Sequence, residues 1–355
     1  MSRSASLDGV HVEMKIGVLT GGGDAPGTNA VIRGIVRKGL KQYGDEIVGI
    51  RDGWRGLLEA ELTPLDQEAI TAILTRGGSI LGFSRTNPFK TKNGVDQILS
   101  NVEKAGIEAI VAIGGDDTLG VAHKLGNYGV KCIGVPKTID NDLSGTDYTF
   151  GFNTAVSIAT EALDRLRSTA EAHQRVIILE VMGRYTGWIA LDSGLAGGAD
   201  VILIPEKPFE VAEICEYITQ RQKRGRNFSV VIVSEGAKPK DGKEIVYSDG
   251  VDEFGNLRLG GVGYFLGKEI EKCIGTETRV VVLGHIQRGG TPTAFDRILG
   301  TRLGIAAIEL VHEGKFGFMV GIRGNKIVPV ALGEVVGRRK TVTPELYETA
   351  SVFFG

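Results

Sequence analysis

The sequence predicts an α/β protein of two doubly wound, Rossmann-like domains with mostly parallel sheets. Three observations predict it. Short Val- and Ile-rich runs recur along the chain, most without strict alternation, which is how strands buried on both faces of a parallel sheet read. Longer stretches with helical apolar spacing separate them, giving the βαβα order of a doubly wound sheet. The chain has 355 residues, and about 150 residues per domain suggests two domains.

Taken in order, Ile16–Thr20 reads as the first strand, followed by the loop Gly21–Gly27 and a helix over Thr28–Gln42. Ile47–Arg51 is the second strand, with a helix at Val95–Lys104 before the third, Ala109–Ile113. That strand runs into Gly114-Gly115-Asp116-Asp117 and a helix over Thr118–Asn127. The fourth, Cys132–Val135, leads into Pro136–Asp142. Thr154–Ala172 shows the helical period in Val156, Ala159, Leu163 and Leu166. Val176–Val181 then runs into Met182-Gly183-Arg184. Val201–Ile204, a helix over Val211–Arg224, Ser229–Ser234, Val280–Leu283 and a helix over Phe295–His312 complete the pattern. The polar, Gly-containing stretch Lys238–Gly260 reads as a loop or hairpin insertion. Glycine and charge gather after the strands, and in such sheets ligands bind beyond the carboxyl ends.

Glycine is also in excess overall, at 52 residues, roughly twice its usual share. With only 10 prolines and 42% apolar residues, this is neither a disordered nor a collagen-like composition. The surplus belongs where backbone bends tightly or approaches a ligand. A net charge of −2 gives no general pull toward nucleic acid or an anionic membrane. The basic run Lys223–Arg226 reads as a solvated helix end. Cys132, Cys215 and Cys273 lack C-x-x-C spacing, which argues against a disulfide framework or zinc site and fits a reducing cytoplasm. Residues 1–13 lack a signal-peptide h-region and read as a disordered extension. No stretch approaches about 18 apolar residues, so no membrane span is expected.

Four groups of residues carry candidate chemistry. The Gly21–Gly27 loop precedes a helix N-terminus, a place that favours anions, although neither G-x-G-x-x-G nor G-x-x-x-x-G-K-[ST] occurs in the chain. Asp116 and Asp117 behind a Gly-Gly pair suit magnesium and phosphate together, because magnesium takes few protein ligands and shares phosphate oxygens. If Pro136–Asp142 is extended, Thr138, Asp140 and Asp142 face one way and Lys137 the other, and neighbouring carboxylates raise one another's pKa toward general-base use. Arg175, Arg184, Arg279 and Arg288, joined by His285, lie at strand ends and suit a sugar phosphate. His11, His123, His173 and His312 have no such setting and read as structural or surface residues.

In order, Gly-Gly-Asp-Ala-Pro-Gly (22–27), Gly-Gly-Asp (114–116), Thr-Ile-Asp-Asn-Asp (138–142), Met-Gly-Arg (182–184) and His-Ile-Gln-Arg-Gly-Gly (285–290) resemble the 6-phosphofructokinases. The resemblance covers nearly the whole chain from Met14. It implies the phosphofructokinase fold, with a phosphoryl-donor domain of residues 1–151 and 288–337 and a fructose 6-phosphate domain of residues 152–287 and 338–355. It implies that Asp140 accepts the 1-hydroxyl proton, that Asp116 holds Mg²⁺, that Gly22 and Thr138 cradle the phosphoryl group and that Arg184 offsets its charge. Asp142 would lie close to the base. Met182, Gly183 and Glu235 would hold the sugar, and His285 and Arg288 the 6-phosphate. Arg175 and Arg279 would come from a neighbouring subunit, making a homo-oligomer with shared active sites.

Two residues bear on the donor. ATP-using bacterial members of the family have glycine where this chain has Asp117 and Lys137, and both departures look like the diphosphate-dependent branch. A carboxylate facing a nucleotide α-phosphate at about 4 Å costs roughly 4 kcal/mol at an effective dielectric of 20. At about 1.4 kcal/mol per decade, that exceeds two decades of affinity. Lys137 would add a cation for diphosphate. The alternative is an ATP-dependent enzyme, a status that Lys137 does not exclude because some actinobacterial ATP users carry it. Arg33 and Arg37 match effector-site arginines of regulated relatives or are solvated helix charges. An NAD-binding oxidoreductase would leave the arginines unused, and a sugar-phosphate sensor would not need Asp140 with Thr138 and Asp116.

Overall fold

A computed structural model describes residues 14–240, 246–251, 257–259 and 261–355. Residues 1–13 and part of the 238–260 insertion lie outside the described residues. The strands are β1 (Lys15–Thr20), β2 (Glu46–Ile50), β3 (Leu62–Pro64), β4 (Ala109–Gly114), β5 (Cys132–Thr138), β6 (Phe150–Gly151) and β7 (Val176–Val181). They continue as β8 (Val201–Leu203), β9 (Ser229–Ser234), β10 (Val246–Val251), β11 (Leu257–Leu259), β12 (Thr278–Val282), β13 (Phe318–Arg323) and β14 (Lys326–Ala331). The longer helices are α1 (Thr28–Lys38), α2 (Trp54–Glu59), α3 (Gly94–Ala105), α4 (Asp116–Gly126), α5 (Phe152–His173) and α6 (Trp188–Ala196). After these come α7 (Val211–Lys223), α8 (Val262–Ile274), α9 (Ala294–His312), α10 (Leu332–Val335) and α11 (Pro344–Ser351).

The chain divides into two compact units. Among the described residues, the first holds those of 14–23, 28–136 and 297–336, and the second those of 24–27, 137–296 and 337–355. Residues 24–27, 137–151, 288–296 and 337, expected in the first domain, group with the second unit. In the first unit the sheet order is β14-β13-β5-β4-β1-β2-β3. The pairs β2–β1, β1–β4, β4–β5 and β5–β13 are parallel, while β3 and β14 add antiparallel edges.

The second unit has a four-stranded sheet, β12-β7-β9-β8, parallel throughout. Alternate residues along its strands enter two different cores, as the strand period of two requires. Ile177, Leu179, Val181, Ile202, Val230 and Ile232 pack with α5 and α6 through Ala159, Leu163 and Leu191. Val176, Ile178, Val201, Leu203, Val231 and Val233 pack with α7 and α8 through Ile214, Ile218, Leu266 and Ile270. Both faces are covered, so these strands are apolar at nearly every position. Within the 238–260 insertion, the described residues include the antiparallel pair β10–β11.

The expected strands all form, and β7 and β9 have the expected bounds. The first helix ends at Lys38 and passes into a π-turn over Gly39–Tyr43 rather than continuing as α-helix to Gln42. The sequence patterns did not reveal α2, α6, α8, α10 or α11. Helix α6 is buried on most sides and lacks a polar face to set its period, and α8 contains two internal glycines at its core-facing side. Among the described residues no helix is long and apolar enough to cross a membrane.

Candidate active site

Strand β5 delivers its last residues to the second unit, where Lys137 and Thr138 pair with Phe150 and Gly151 of β6. The backbone then turns. The Asp140 amide donates to the Thr138 hydroxyl oxygen at 3.1 Å, the Thr149 hydroxyl donates to the Thr138 carbonyl at 2.7 Å and the Thr186 hydroxyl to the Asp140 carbonyl at 3.3 Å. Asn141 has a left-handed backbone, φ +52°. That residue ends the alternation expected of an extended 138–142 segment. Asp142 is one of the carboxylates that favour the charge of Lys340. Lys137, expected to point away, is buried and acts on Asp140 as a nearby cation.

Asp140 is the most constrained carboxylate of this cluster. Its Oδ1 is buried without a hydrogen-bond partner among the described residues. Burial raises its pKa, and the charges of Arg288, Arg184 and Lys137 oppose that rise. A carboxylate that interacts with Asp140 is Glu235, at the end of β9. Burial and then Asp140 push Glu235 up to about 7, against Arg184 and Arg288. Two acids and three cations therefore converge at the carboxyl ends of β5, β7 and β9 and on the turn after β12. A carboxylate of raised basicity, kept ionised by neighbouring cations and with a free lone pair, is suited to taking a proton from a bound hydroxyl.

The neighbouring main chain is already engaged. Gln287, fully buried, accepts from the Met182 amide at 3.3 Å and donates to the Gly284 carbonyl at 3.0 Å. The Gly183 carbonyl accepts from the Ser234 hydroxyl at 2.7 Å and the Gly236 amide at 3.1 Å. Gly183 sits at φ +130°, and a Cβ there would meet Ser234 Oγ and lie 2.5 Å from the Thr186 carbonyl. Arg288 donates to the Asp24 carbonyl at 2.9 Å, and His285 stands exposed on the 3₁₀ turn Gly284–Arg288. Asp24, Gln287 and Thr186 were not singled out in the sequence. Asp24 resembles Asp140 in having a buried, unpartnered Oδ1 and a raised pKa from burial, countered by Lys137 and Arg288.

Arg175 and Arg279 are elsewhere. Arg175 immediately precedes β7, and Arg279 is the second residue of the parallel strand β12. Both are therefore at the amino ends, and a six-residue strand separates them from Arg184 by roughly 20 Å. Both guanidinium groups pair with Glu277. Within one chain the four arginines form two sets, not one.

In the first unit, Gly115 caps α4, and Asp116 and Asp117 occupy its first turn, both exposed. Carboxylates there are stabilised by the positive end of the helix. The helix thus begins two residues earlier than the Thr118 start expected from sequence. Thr118 explains two of the glycines: a Cβ on Gly21 would lie 2.5 Å from its hydroxyl, and one on Gly114 would collide with its side chain. The Gly21 and Gly22 amides donate to the carbonyls of Ile113 and Ser84, each at 3.0 Å. They are used within the fold, so the glycine-rich loop offers close backbone approach more than free N–H donors. Asp116 and Asp117 supply hard oxygen donors of the kind magnesium completes with phosphate oxygens and water. Among the described residues no group of three or more His, Cys, Asp or Glu could hold a metal unaided.

Residues 15–311 match the Phosphofructokinase family. A pyrophosphate--fructose 6-phosphate 1-phosphotransferase of Streptomyces coelicolor is 58% identical over 343 residues, covering 96% of this chain and all of the relative. An ATP-dependent 6-phosphofructokinase 3 of the same organism is 51% identical over 337 residues, covering 95% of this chain and 99% of the relative. The crystal structure of a pyrophosphate-dependent phosphofructokinase from Marinobacter aquaeolei superposes with a TM-score of 0.80 at 26% identity, covering 94% of this chain and 86% of that one.

Proposed function

The chain belongs to the phosphofructokinase family, whose members are phosphotransferases, and on that premise we propose that it moves a phosphoryl group reversibly from diphosphate to the 1-hydroxyl of fructose 6-phosphate, giving fructose 1,6-bisphosphate and phosphate. The observation that carries the reading is Asp140: a buried carboxylate, raised in pKa, with an unpartnered oxygen and three cations around it. Phosphoryl transfer asks the protein mainly for positioning and charge. Asp140 takes the hydroxyl proton as attack begins, and Arg184 with Lys137 balances the charge carried by the moving group. Thr138 holds the Asp140 backbone in its turn.

The sugar is held by Glu235, His285 and Arg288, with Met182 and Gly183 supplying a rigid main-chain wall. Asp142 would lie close to the base, its carbonyl held by the Lys340 amide at 2.8 Å. Gly22 lets the donor approach the backbone closely. Asp116 would hold Mg²⁺, which would supply positive charge to offset that of diphosphate. Arg175 and Arg279, at the opposite strand ends from Arg184, complete the sugar-phosphate site of a second subunit in a homo-oligomer. The protein would work in the cytoplasm, in glycolysis and gluconeogenesis.

Diphosphate is favoured over ATP by Asp117, an exposed carboxylate in the first turn of α4 that would repel a nucleotide α-phosphate, and by Lys137. The ATP-dependent relative at 51% identity makes ATP the second reading. Initial rates with each donor, at saturating fructose 6-phosphate and magnesium, separate the two. We expect turnover with diphosphate and little with ATP. Asp117→Gly is expected to raise kcat/KM for ATP by about two decades, alone or together with Lys137→Gly. Strong ATP turnover by the unaltered protein with none from diphosphate would overturn the donor assignment.

A further inference from the structure

We propose that Lys340 is a positioning residue, holding the 140–149 loop through Asn141 so that the Asp140 carboxylate stays aimed at the acceptor hydroxyl; this rests on the function proposed above. The Lys340 ammonium has three protons and three oxygen partners. It donates to Asn141 Oδ1 at 3.0 Å, to the Thr146 carbonyl at 3.0 Å and to the Asp147 carbonyl at 2.6 Å. Asn141 is 2% exposed and left-handed, directly after Asp140. Its Oδ1 also accepts from the Thr149 amide at 3.0 Å. Thr149 in turn holds the Thr138 carbonyl. One lysine from the far end of the chain thus closes a ring of hydrogen bonds around the turn that bears Asp140.

The segment around Lys340 is itself tied down on both sides. The Lys340 amide donates to the Asp142 carbonyl at 2.8 Å, and the Trp188 indole donates to the Lys340 carbonyl at 2.8 Å. The ammonium also lies 5.4 Å from the Trp188 ring centre. The next residue but one, Val342, donates to Glu206 at 3.0 Å, and Glu206 accepts from Gly187 at 3.0 Å. Arg339 stacks on Tyr185 at 3.7 Å, beside Arg184. Residues 339–342 therefore brace the loop bearing Asp140 and the loop bearing Arg184 together. Burial draws the ammonium pKa down to about 8, while Asp147, Asp142 and Asp192 favour its charge. Charge-assisted bonds in so desolvated a place are stronger and more directional than on a surface.

The test compares Lys340→Met, Lys340→Arg, Asn141→Gly and the Lys340→Met/Asn141→Gly double variant with the unaltered full-length protein, using whichever donor supports turnover. Glycine suits the left-handed backbone of position 141. A misaimed base costs about 10²-fold, so Lys340→Met should lose about that factor in kcat while KM values move by less than about threefold. Lys340→Arg should regain most of the loss. Because both residues act in one hydrogen-bond ring, the double variant should be no slower than the slower single variant. Amide exchange at Thr149 should quicken in Lys340→Met, with global stability little changed. An unchanged kcat, or losses that multiply in the double variant, would overturn the proposal. If Lys340→Met does not fold, Lys340→Arg and Asn141→Gly carry the same comparison, and unaltered Thr149 exchange in both counts against it. Failure of the unaltered protein to use either donor would sink the functional reading instead, whereas a fast Lys340→Met enzyme sinks only this one.

Discussion

Replacing Glu235 with glutamine keeps the side chain's size and removes its charge. In the folded protein burial and the nearby Asp140 raise the Glu235 pKa from 4.5 to about 7. Between those values the folded chain keeps a proton that the unfolded chain has released. Stability therefore falls as pH rises through that window, is fully present below it, and loses nothing more above it. At about 1.4 kcal/mol per unit, the whole contribution is about 3 kcal/mol. From about pH 5.5 to about pH 8.5 it amounts to about 2 kcal/mol. Urea unfolding of both ligand-free proteins at these two pH values measures it. The stability of Glu235→Gln relative to the unaltered protein should increase by about 2 kcal/mol on going to the higher pH. Parallel stability curves would refute the burial argument, and a relative loss at high pH would reverse its sign. Fructose 6-phosphate binding should weaken in the same variant, since the carboxylate that destabilises the empty protein is the one proposed to accept the sugar hydroxyls.

Two further outcomes follow from the same site. Asp140→Asn should lower kcat by about 10²–10⁴-fold, the usual worth of a general base, while the folded protein gains stability at neutral pH because a buried charge is gone; steady-state kinetics with urea unfolding reads both, and turnover at the unaltered rate would remove Asp140 as the base. Gly183→Ala places a methyl group at φ +130° against Ser234 and Thr186, and should cost at least about 2 kcal/mol; a loss below about 1 kcal/mol in the same unfolding assay would mean that the turn after β7 is looser than its geometry implies.

Much of the architecture was legible along the chain. Buried parallel strands are continuous apolar runs because both faces are covered, and β7 and β9 kept their expected limits for that reason. The hairpin β13–β14 carries a short-range signal, the two residues Gly324-Asn325 between paired Arg323 and Lys326. Helix α6 carried none, since an all-round apolar helix has no period to detect. Among the site residues, the glycine-flanked carboxylates and the Thr-Ile-Asp-Asn-Asp run stood out because their residue types suit few other purposes at strand ends.

What only the tertiary structure decided is the surroundings of each group. Aspartates look alike in sequence, yet Asp116 and Asp117 are exposed on a helix turn while Asp140 has a buried, unpartnered oxygen among cations. The four arginines share strand ends, but parallel strands put two of them at the amino side and two at the carboxyl side. Lys340 meets Asn141 across 199 residues of chain, a distance at which no local spacing carries information. By itself the sequence determined where the backbone turns and which residue types wait there, because those are set by neighbours along the chain. Folding decided which of them are desolvated and which charges face each other, because dielectric and Coulomb interactions depend on separation in space rather than in sequence.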